Sequence, residues 1–213
     1  MPISVVELND IIACAESGDD YAQFDLALCY SEGDGVEQSD EKAAYWYTKS
    51  AEQGNSAAQY NLATCYRLGY GVKQSSTKAV YWYTKSAEQG EVDAQINLAL
   101  CYKIGYGVAQ SYENSAKWYE KAAMQGNSIA QNSLGAYFEN GEGVKKSLDR
   151  AVYWYEKAAE QGHALAQYNL GINYLYGGEG VEKSISKAKY WLKLAAEQGD
   201  EDAKKILKEK GLI

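Results

Sequence analysis

The sequence predicts an all-α protein: a right-handed α/α superhelical solenoid of about five 36-residue helix–loop–helix repeats, with a half repeat as a cap at each end. Three observations support this fold class. Apolar residues recur at helical spacing within each period, and no segment alternates polar and apolar residues as a half-buried strand does. The repeat itself is marked by Ala-Glu-Gln-Gly or a near variant, which begins at Ala15, Ala51, Ala87, Ala123, Ala159 and Ala196.

The second period shows how each helix is specified. In its first helix, Ala58, Leu62 and Tyr66 recur every four residues and therefore share one face. The glycine-containing segment 69–72 interrupts that helix, because glycine adopts backbone conformations that other residues resist. A second helix is predicted over about 76–89, and the glycine that follows ends it.

One helix pair cannot bury its apolar face alone, so neighbouring pairs are expected to stack into a continuous core. We therefore expect one repeat domain over residues 1–213. Within it, residues 1–14 form an N-terminal helical cap, residues 15–195 the five repeats, and residues 196–213 a C-terminal helical cap. Charged residues on the last helix suit a cap, whose outer surface is in contact with water.

Several motifs recur with substitutions along the chain. In the second period they are Asn61-Leu62-Ala63, Tyr66, Gly69-Tyr70-Gly71-Val72, Lys78-Ala79, Trp82-Tyr83 and Ala87-Glu88-Gln89-Gly90. They resemble the Sel-one-like repeat family, relatives of the tetratricopeptide repeats, and the resemblance extends from Ala15 to Ala203. It implies a superhelical fold and a role as an adaptor or assembly scaffold; some bacterial members serve in secretion or host contact.

Composition and charge exclude several classes of function. The chain has 21 basic and 29 acidic residues, and a net charge of −8 opposes binding to nucleic-acid phosphates. A single histidine, His163, excludes sites that need several imidazoles. No apolar stretch approaches the roughly 18–20 residues of a membrane span. We expect no cofactor and no metal, and a protein that is monomeric by itself.

The first seven residues have neither the basic region nor the long apolar region of a secretory signal. We therefore expect a cytoplasmic protein, secreted or periplasmic only if a leader was removed.

The four cysteines predict free, buried or half-buried thiols. Cys29, Cys65 and Cys101 occupy one repeat position. Equivalent positions of stacked helices lie roughly 10 Å apart, whereas a disulfide needs Cα atoms within about 7 Å. Cys14 occupies a small-residue packing position of the second helices. A Cys14–Cys29 bridge remains the alternative.

Three further features are interpreted structurally. The G-x-G loops lack the preceding strand and the Gly-Lys-Ser/Thr of a phosphate site, so they are predicted to be turns between helices. His163 follows a glycine at a position where other repeats have the polar residues Asp, Asn or Glu, which predicts a helix N-cap. The tryptophan of each repeat is expected to lie in the core. No catalytic residue is predicted.

Binding is expected on the concave surface that first helices line in such solenoids. The stripe opposite the core positions varies between repeats and carries large apolar residues, which is typical of an interaction site. The predicted protein-binding residues are Phe24, Leu28, Tyr60, Thr64, Arg67, Ile96, Leu100, Lys103, Asn132, Glu139, Tyr168, Ile172 and Leu175.

A polar ladder runs beside this stripe and has two open interpretations. Its side chains either hydrogen-bond an extended peptide or bond between neighbouring repeats. The ladder consists of Asp25, Asn61, Asn97, Ser133 and Asn169.

The negative charge is concentrated in residues 1–50, which hold 11 acidic and 2 basic side chains. A solvated surface explains this, and so does a docking site for a basic partner at Asp19, Asp20, Glu32 and Asp34. We therefore predict a non-enzymatic interaction scaffold that binds a protein or peptide. The first alternative is an inhibitor or immunity-type protein that blocks a basic enzyme. A weaker one is a β-lactam hydrolase, an activity implied only by resemblance to some family members.

Overall fold

The computed structural model describes residues 4–213; residues 1–3, where the expected N-terminal cap begins, lie outside the described residues. Residues 4–213 form α-helices and no strand, which confirms the all-α fold class. None of these helices has both the length and the apolarity that a membrane crossing requires. The helices are α1 (Val5–Ser17), α2 (Asp20–Glu32), α3 (Asp40–Glu52), α4 (Ser56–Leu68), α5 (Ser76–Glu88), α6 (Val92–Ile104), α7 (Tyr112–Met124), α8 (Ser128–Asn140), α9 (Leu148–Glu160), α10 (Ala164–Tyr176), α11 (Ile185–Glu197) and α12 (Glu201–Glu209).

Capping residues set the ends of these helices as the sequence predicts. Ser75 precedes α5 and accepts a hydrogen bond from the Lys78 N–H, which satisfies a free donor of the first turn. Gly69 ends α4 with a φ of 82°, a left-handed conformation that glycine adopts readily. His163 precedes α10, and its Nδ1 accepts from the Ala166 N–H at 3.3 Å. The predicted N-cap role of His163 is therefore confirmed.

The chain divides into two compact units, of which the first ends at Gln110 and the second begins at Ser111. In unit 1, α1 packs on α2, and the pairs α2–α3 and α4–α5 form hairpins. The contacts α3–α4 and α5–α6 join successive repeats. Unit 2 follows the same order through α7–α8, α8–α9, α9–α10, α10–α11 and α11–α12.

In the first four repeats a buried tyrosine of the second helix follows the tryptophan, and in the fifth repeat Leu192 takes its place. Tyr83 is fully buried, as is Tyr155 in unit 2. Trp82 is only half-buried and meets the preceding Tyr81 edge-on, with ring centroids 5.0 Å apart. The expectation of a tryptophan core is therefore confirmed in full at Trp154, which is 9% exposed, and in part at Trp46 and Trp82, which are half-buried and pack against the core. Neighbouring helical residues point about 100° apart, so when the tyrosine faces the core the tryptophan lies at its edge.

The second glycine of three G-x-G loops, at positions 71, 107 and 143, marks a close approach between repeats. Gly71 has a φ of +64°, and a Cβ there would lie 2.0 Å from the Asp40 carbonyl oxygen. In unit 2, a Cβ on Gly143 would overlap the Tyr112 backbone in the same way. The loops are therefore inter-helix turns, as predicted. At Gly71 and Gly143 the loop also packs against the first residue of the second helix in the preceding repeat.

Paired glutamines join neighbouring repeats. Gln53 Nε2 donates to Gln23 Oε1 at 2.8 Å and to the Gly18 carbonyl at 3.0 Å. The buried Gln23 in turn donates to the Ala15 carbonyl at 3.1 Å, near the end of α1. The Ala15 carbonyl also accepts from the Gly18 N–H, so the glutamines add hydrogen bonds across the turn that follows α1. The same glutamine pair recurs as Gln89–Gln59, Gln161–Gln131 and Gln198–Gln167.

The cysteines follow the prediction at three positions out of four. Cys29, Cys65 and Cys101 are buried, but Cys14 is exposed. Its counterpart Ser50 is fully buried against the preceding first helix, where its hydroxyl donates to the Asp20 carbonyl at 2.7 Å. No described helix covers that side of α1, so the expectation of a packed Cys14 is wrong.

Maleimide is expected to label Cys14 first in the native protein and all four thiols after denaturation without reductant. Burial raises the pKa of Cys65 and of Cys101 to about 11, so little of the reactive thiolate forms at neutral pH. Mass spectrometry after timed labelling measures both results. Only two labels on the denatured chain would contradict four free thiols and indicate the Cys14–Cys29 bridge.

Candidate protein-binding surface

In unit 1 the first helices present a shared, partly exposed surface that we call the apolar face. Its residues occupy positions four apart along each helix. They are Phe24 and Leu28 on α2; Tyr60, Thr64 and Leu68 on α4; and Ile96, Leu100 and Ile104 on α6. Leu68, Leu100 and Ile104 are 42%, 44% and 61% exposed. The set of predicted binding residues lacks Leu68 and Ile104, although their spacing from Thr64 and Leu100 places them on the same stripe.

Tyrosines of the second helices support this face from beneath. The Phe24 ring lies 6.0 Å from that of Tyr47, and the Tyr60 ring lies 5.9 Å from that of Tyr83. The Tyr83 hydroxyl contacts Thr64 Oγ1 and accepts from Arg67 Nε, both at 3.1 Å. These contacts hold the face in place before a partner arrives, which lowers the entropy lost on binding.

Two basic residues flank the apolar face near the C-terminal ends of its helices. Arg67 is half-buried, and the hydrogen bond with Tyr83 raises the pKa of its guanidinium, so it stays charged. Lys103 holds the same repeat position on α6 and is exposed. The Tyr106 hydroxyl donates to the Arg67 carbonyl at 3.3 Å, which ties the loop after α6 to α4. The α4–α6 side of the face therefore has positive charge.

In unit 2 the corresponding positions are polar on α8, where Asn132 and Asn140 replace apolar residues, but apolar on α10, where Tyr176 is 60% exposed. Asn132 is only 9% exposed and accepts from Asn169 Nδ2 at 3.2 Å. Glu139 is half-buried and accepts from the Tyr155 hydroxyl at 2.7 Å and from Asn173 Nδ2 at 3.1 Å. Such a network leaves few groups to offer a partner.

Two predicted binding residues of unit 2 are therefore corrected. Asn132 is withdrawn from solvent by its bond to Asn169. Leu175 is only 4% exposed, because burying an aliphatic side chain lowers the free energy. Other repeats have the charged residues Arg67, Lys103 and Glu139 at this position. Tyr168 and Ile172 remain half-buried.

A cleft of about 890 Å³ lies in unit 2 between the loop before α9 and the loop after α10. Its walls combine basic and acidic side chains with apolar ones. They include Lys145, Lys146, Arg150, Glu139, Asp149, Glu179, Ile172 and Tyr176. With three basic and three acidic groups, the cleft favours neither an anion nor a cation.

The polar ladder is largely engaged within the protein. Asn97 Nδ2 donates to the Asp93 carbonyl, and Ser133 Oγ donates to the Ile129 carbonyl, each at 2.8 Å. Both bonds are made within a single helix, whereas the bond from Asn169 to Asn132 joins neighbouring repeats. Asn97, Ser133 and Asn169 therefore donate within the chain, whereas the side chains of Asp25 and Asn61 make no hydrogen bond among the described residues, so a peptide-binding role stays open only for the unit 1 part of the ladder.

The predicted acidic docking residues lie at the two ends of α2. Asp19 caps the helix by accepting from the Ala22 N–H at 2.8 Å, and Asp20 accepts from Asn55 Nδ2 at 3.4 Å. Glu32 and Asp34 lie at the other end, about 18 Å away along the helix. They therefore do not form one cluster.

Asp25 adds a carboxylate that the predicted acidic set lacks. It is exposed on α2, seven residues before Glu32 and so on the same side of the helix. Partial burial, and then repulsion from Asp19, raise the pKa of Asp25. Within the described residues, Asp25 and Glu32 form no ion pair.

Titratable side chains form no metal site in the part of the chain that the structure describes. There, no group of three or more His, Cys, Asp or Glu side chains is placed to hold a metal ion. The Nδ1 atom of His163 is engaged as a helix cap, and burial lowers the pKa of the imidazole.

Stacked helix pairs with a shared exposed face define a helical-repeat protein of the kind that binds other proteins. The Sel1 repeat matches residues 20–55, 56–91, 92–127, 128–163 and 164–200, so the chain belongs to the Sel1 repeat family. Sel1 repeat proteins generally mediate protein–protein interaction. Each matched repeat begins at a first helix, which leaves α1 before the first repeat and α12 after the last.

Solved structures show the same fold. A protective antigen present in uropathogenic Escherichia coli strains, described as displaying an SLR fold, is 40% identical with a TM-score of 0.89; the match covers 92% of this chain but only 42% of that protein. A Sel1 repeat protein from Oxalobacter formigenes is 32% identical over 94% of this chain and 86% of its own, with a TM-score of 0.78. Helicobacter pylori cysteine-rich protein B is 28% identical over 64% of this chain and 97% of its own, with a TM-score of 0.50. No curated protein matches the sequence.

Proposed function

We propose that this chain is a non-enzymatic scaffold that binds a partner protein through the apolar face of unit 1. The observation that carries this proposal is the exposure of Leu68, Leu100 and Ile104, which are 42%, 44% and 61% exposed on two neighbouring first helices. Adjacent apolar side chains rimmed by charge are typical of protein-binding surfaces, because association removes them from water. Unit 2 supports the choice of surface in part: α10 has the exposed Tyr176, but the neighbouring α8 has Asn132, Ala136 and Asn140 at the equivalent positions and so does not extend an apolar face.

The experiment compares the wild-type chain with a variant carrying Tyr60→Ser, Ile96→Ser and Leu100→Ser. We expect the variant to keep its helical circular dichroism and to lose the partners that immobilised wild-type chain captures from a bacterial extract. Mass spectrometry identifies those partners, and the affinity of each purified partner is then measured against both proteins.

The control variant changes three exposed tyrosines of the second helices, Tyr45→Ser, Tyr81→Ser and Tyr153→Ser. These tyrosines are 54%, 53% and 51% exposed and lie off the apolar face. The control should keep every partner. Equal affinity of a partner for wild type and the apolar-face variant would exclude this face as its binding site, and unfolding of that variant would show that its three residues belong to the core.

A second candidate function is inhibition of a basic enzyme by the acidic end, which the 11 acidic and 2 basic residues of positions 1–50 favour. Neutralising Asp19, Asp20, Glu32 and Asp34 to Asn or Gln should then slow association about ten-fold at low salt. Raising the salt should slow wild type similarly, because steering charges are screened over about 8 Å at physiological ionic strength. An association rate that is independent of salt and of these four carboxylates would exclude this candidate.

A further inference from the structure

The dimensions of the apolar face indicate the shape of its occupant. Positions four apart along α4 place Tyr60, Thr64 and Leu68 over about 12 Å. Neighbouring first helices of stacked repeats lie about 10 Å apart, so the three helices of the face extend over roughly 20 Å. An α-helix with its side chains is about 10–12 Å across, which matches the 12 Å width. A helix of about 13 residues would extend across all three first helices.

The chemistry of the face also favours a helix over an extended segment. An extended segment needs donors and acceptors for its free backbone groups, whereas a helix satisfies its own. Beside the apolar face, Asp25 has no donor to offer when ionised, and Asn97 Nδ2 already donates to the Asp93 carbonyl. Asn61, whose side chain makes no hydrogen bond among the described residues, and the remaining groups of Asn97 are left for a peptide backbone, which is fewer than an extended segment across three helices needs.

Charge distinguishes the two ends of the face. Glu32 holds on α2 the repeat position of Leu68 and Ile104, and it lies on the same side of α2 as Asp25. Both carboxylates are exposed and in no ion pair of the described residues. The α4–α6 side carries Arg67 and Lys103 and one exposed carboxylate, Asp93, so its net charge is positive. A partner is therefore favoured when its positive charges lie over α2.

We infer that the occupant of the apolar face is an amphipathic α-helix of a partner protein, with Lys or Arg residues at the end that lies over α2. This inference rests on the proposed function, because it assigns the partner's chemistry at the same surface. The apolar side of the partner helix covers Tyr60, Ile96 and Leu100, and its basic end contacts Asp25 and Glu32.

Three synthetic peptides of about 18 residues test this, a length at which an isolated helix begins to form. The first has a leucine-rich side and lysines at one end. The second replaces those lysines with glutamates, and the third rearranges the first so that its leucines no longer share one side. Fluorescence polarisation of labelled peptides with the full chain at physiological salt measures affinity. We expect the first peptide to bind at least ten-fold more tightly than either of the others.

Matched variants of the protein test the charge assignment. Asp25→Asn with Glu32→Gln should remove most of the difference between the lysine and glutamate peptides. Glu52→Gln with Glu88→Gln, which neutralises exposed carboxylates of the second helices, should leave the difference intact. A photo-crosslinker at the basic end of the first peptide should attach to residues 20–32, and one at the opposite end to residues 92–104.

Equal binding of the lysine and glutamate peptides, or no binding of any peptide, would overturn the inference. So would equal binding of the rearranged peptide, or crosslinks with the two ends reversed. If the captured partners still depend on Tyr60, Ile96 and Leu100, the proposed function stands although the helix inference fails. If those partners are indifferent to the three residues, the proposed function fails at this surface whatever the peptides do.

Discussion

Replacing Leu98 by Ala is expected to lower the free energy of unfolding by about 2–5 kcal/mol, whereas Leu100→Ala changes it by less than about 0.5 kcal/mol. The two leucines lie two residues apart on α6, but Leu98 is fully buried and Leu100 is 44% exposed. Truncating Leu98 removes apolar contacts and leaves a cavity. Truncating Leu100 removes methyl groups that water already reaches. Urea unfolding followed by circular dichroism measures both changes.

The matched leucine pair also tests the assignment of the apolar face. Leu100→Ala should weaken partner binding while its stability stays near wild type. A loss of stability at Leu100 as large as that at Leu98 would show that position 100 is core and would remove it from the binding surface.

Gly107→Ala is expected to destabilise the chain by more than about 2 kcal/mol, through backbone strain and overpacking together. Gly107 has a φ of +68°, and a Cβ there would lie 2.3 Å from the carbonyl oxygen of Ser76, which begins a second helix of the preceding repeat. The atoms nearest to the added methyl group belong to the Ser76 backbone and not to a flexible side chain. The two repeats must therefore separate slightly to admit the methyl group. Chemical denaturation measures the change.

Gly54→Ala is the control for this substitution. Gly54 also has a positive φ, +105°, but no atom lies within 4 Å of its added Cβ. It should therefore cost only the conformational strain of about 1–2 kcal/mol. If both alanine variants lose the same stability, the close approach at Gly107 contributes nothing and the loop is free to yield.

The sequence allowed the repeats and helices to be predicted closely, because those features depend on local chemistry. The second helix of the second period was expected over about 76–89, and α5 extends over Ser76–Glu88. The N-cap role of His163 was predicted because His163 occupies a repeat position at which other repeats have capping residues such as Asp and Asn. The glutamine pairs were not predicted, although the sequence contained a signal for them. Glutamines 30 residues apart, such as Gln59 and Gln89, recur in successive repeats.

The candidate surface was predictable in part. The spacing of apolar residues on the first helices identified Tyr60, Ile96 and Leu100, since residues three and four apart share a side of a helix. The spacing of apolar residues did not show that the stripe is more accessible in unit 1 than on α8 of unit 2, because the hydrogen-bond partners of Asn132 and Glu139 are distant in the sequence. The hydrogen bond from Asn169 to Asn132 spans 37 residues and depends on how repeats stack.

By itself, the sequence determined the all-α class, the 36-residue period, the helix boundaries and the stripe on which an interaction surface can lie. These follow from contacts within one or two helical turns, which amino-acid order specifies directly. Only the tertiary structure decided which members of that stripe are accessible, that Cys14 is exposed while Ser50 is buried, and that Trp82 is half-buried while the adjacent Tyr83 is fully buried. Burial of a side chain depends on which residues of a neighbouring repeat pack over it. Two equivalent positions with the same local sequence pattern therefore differ in exposure when different residues pack over them.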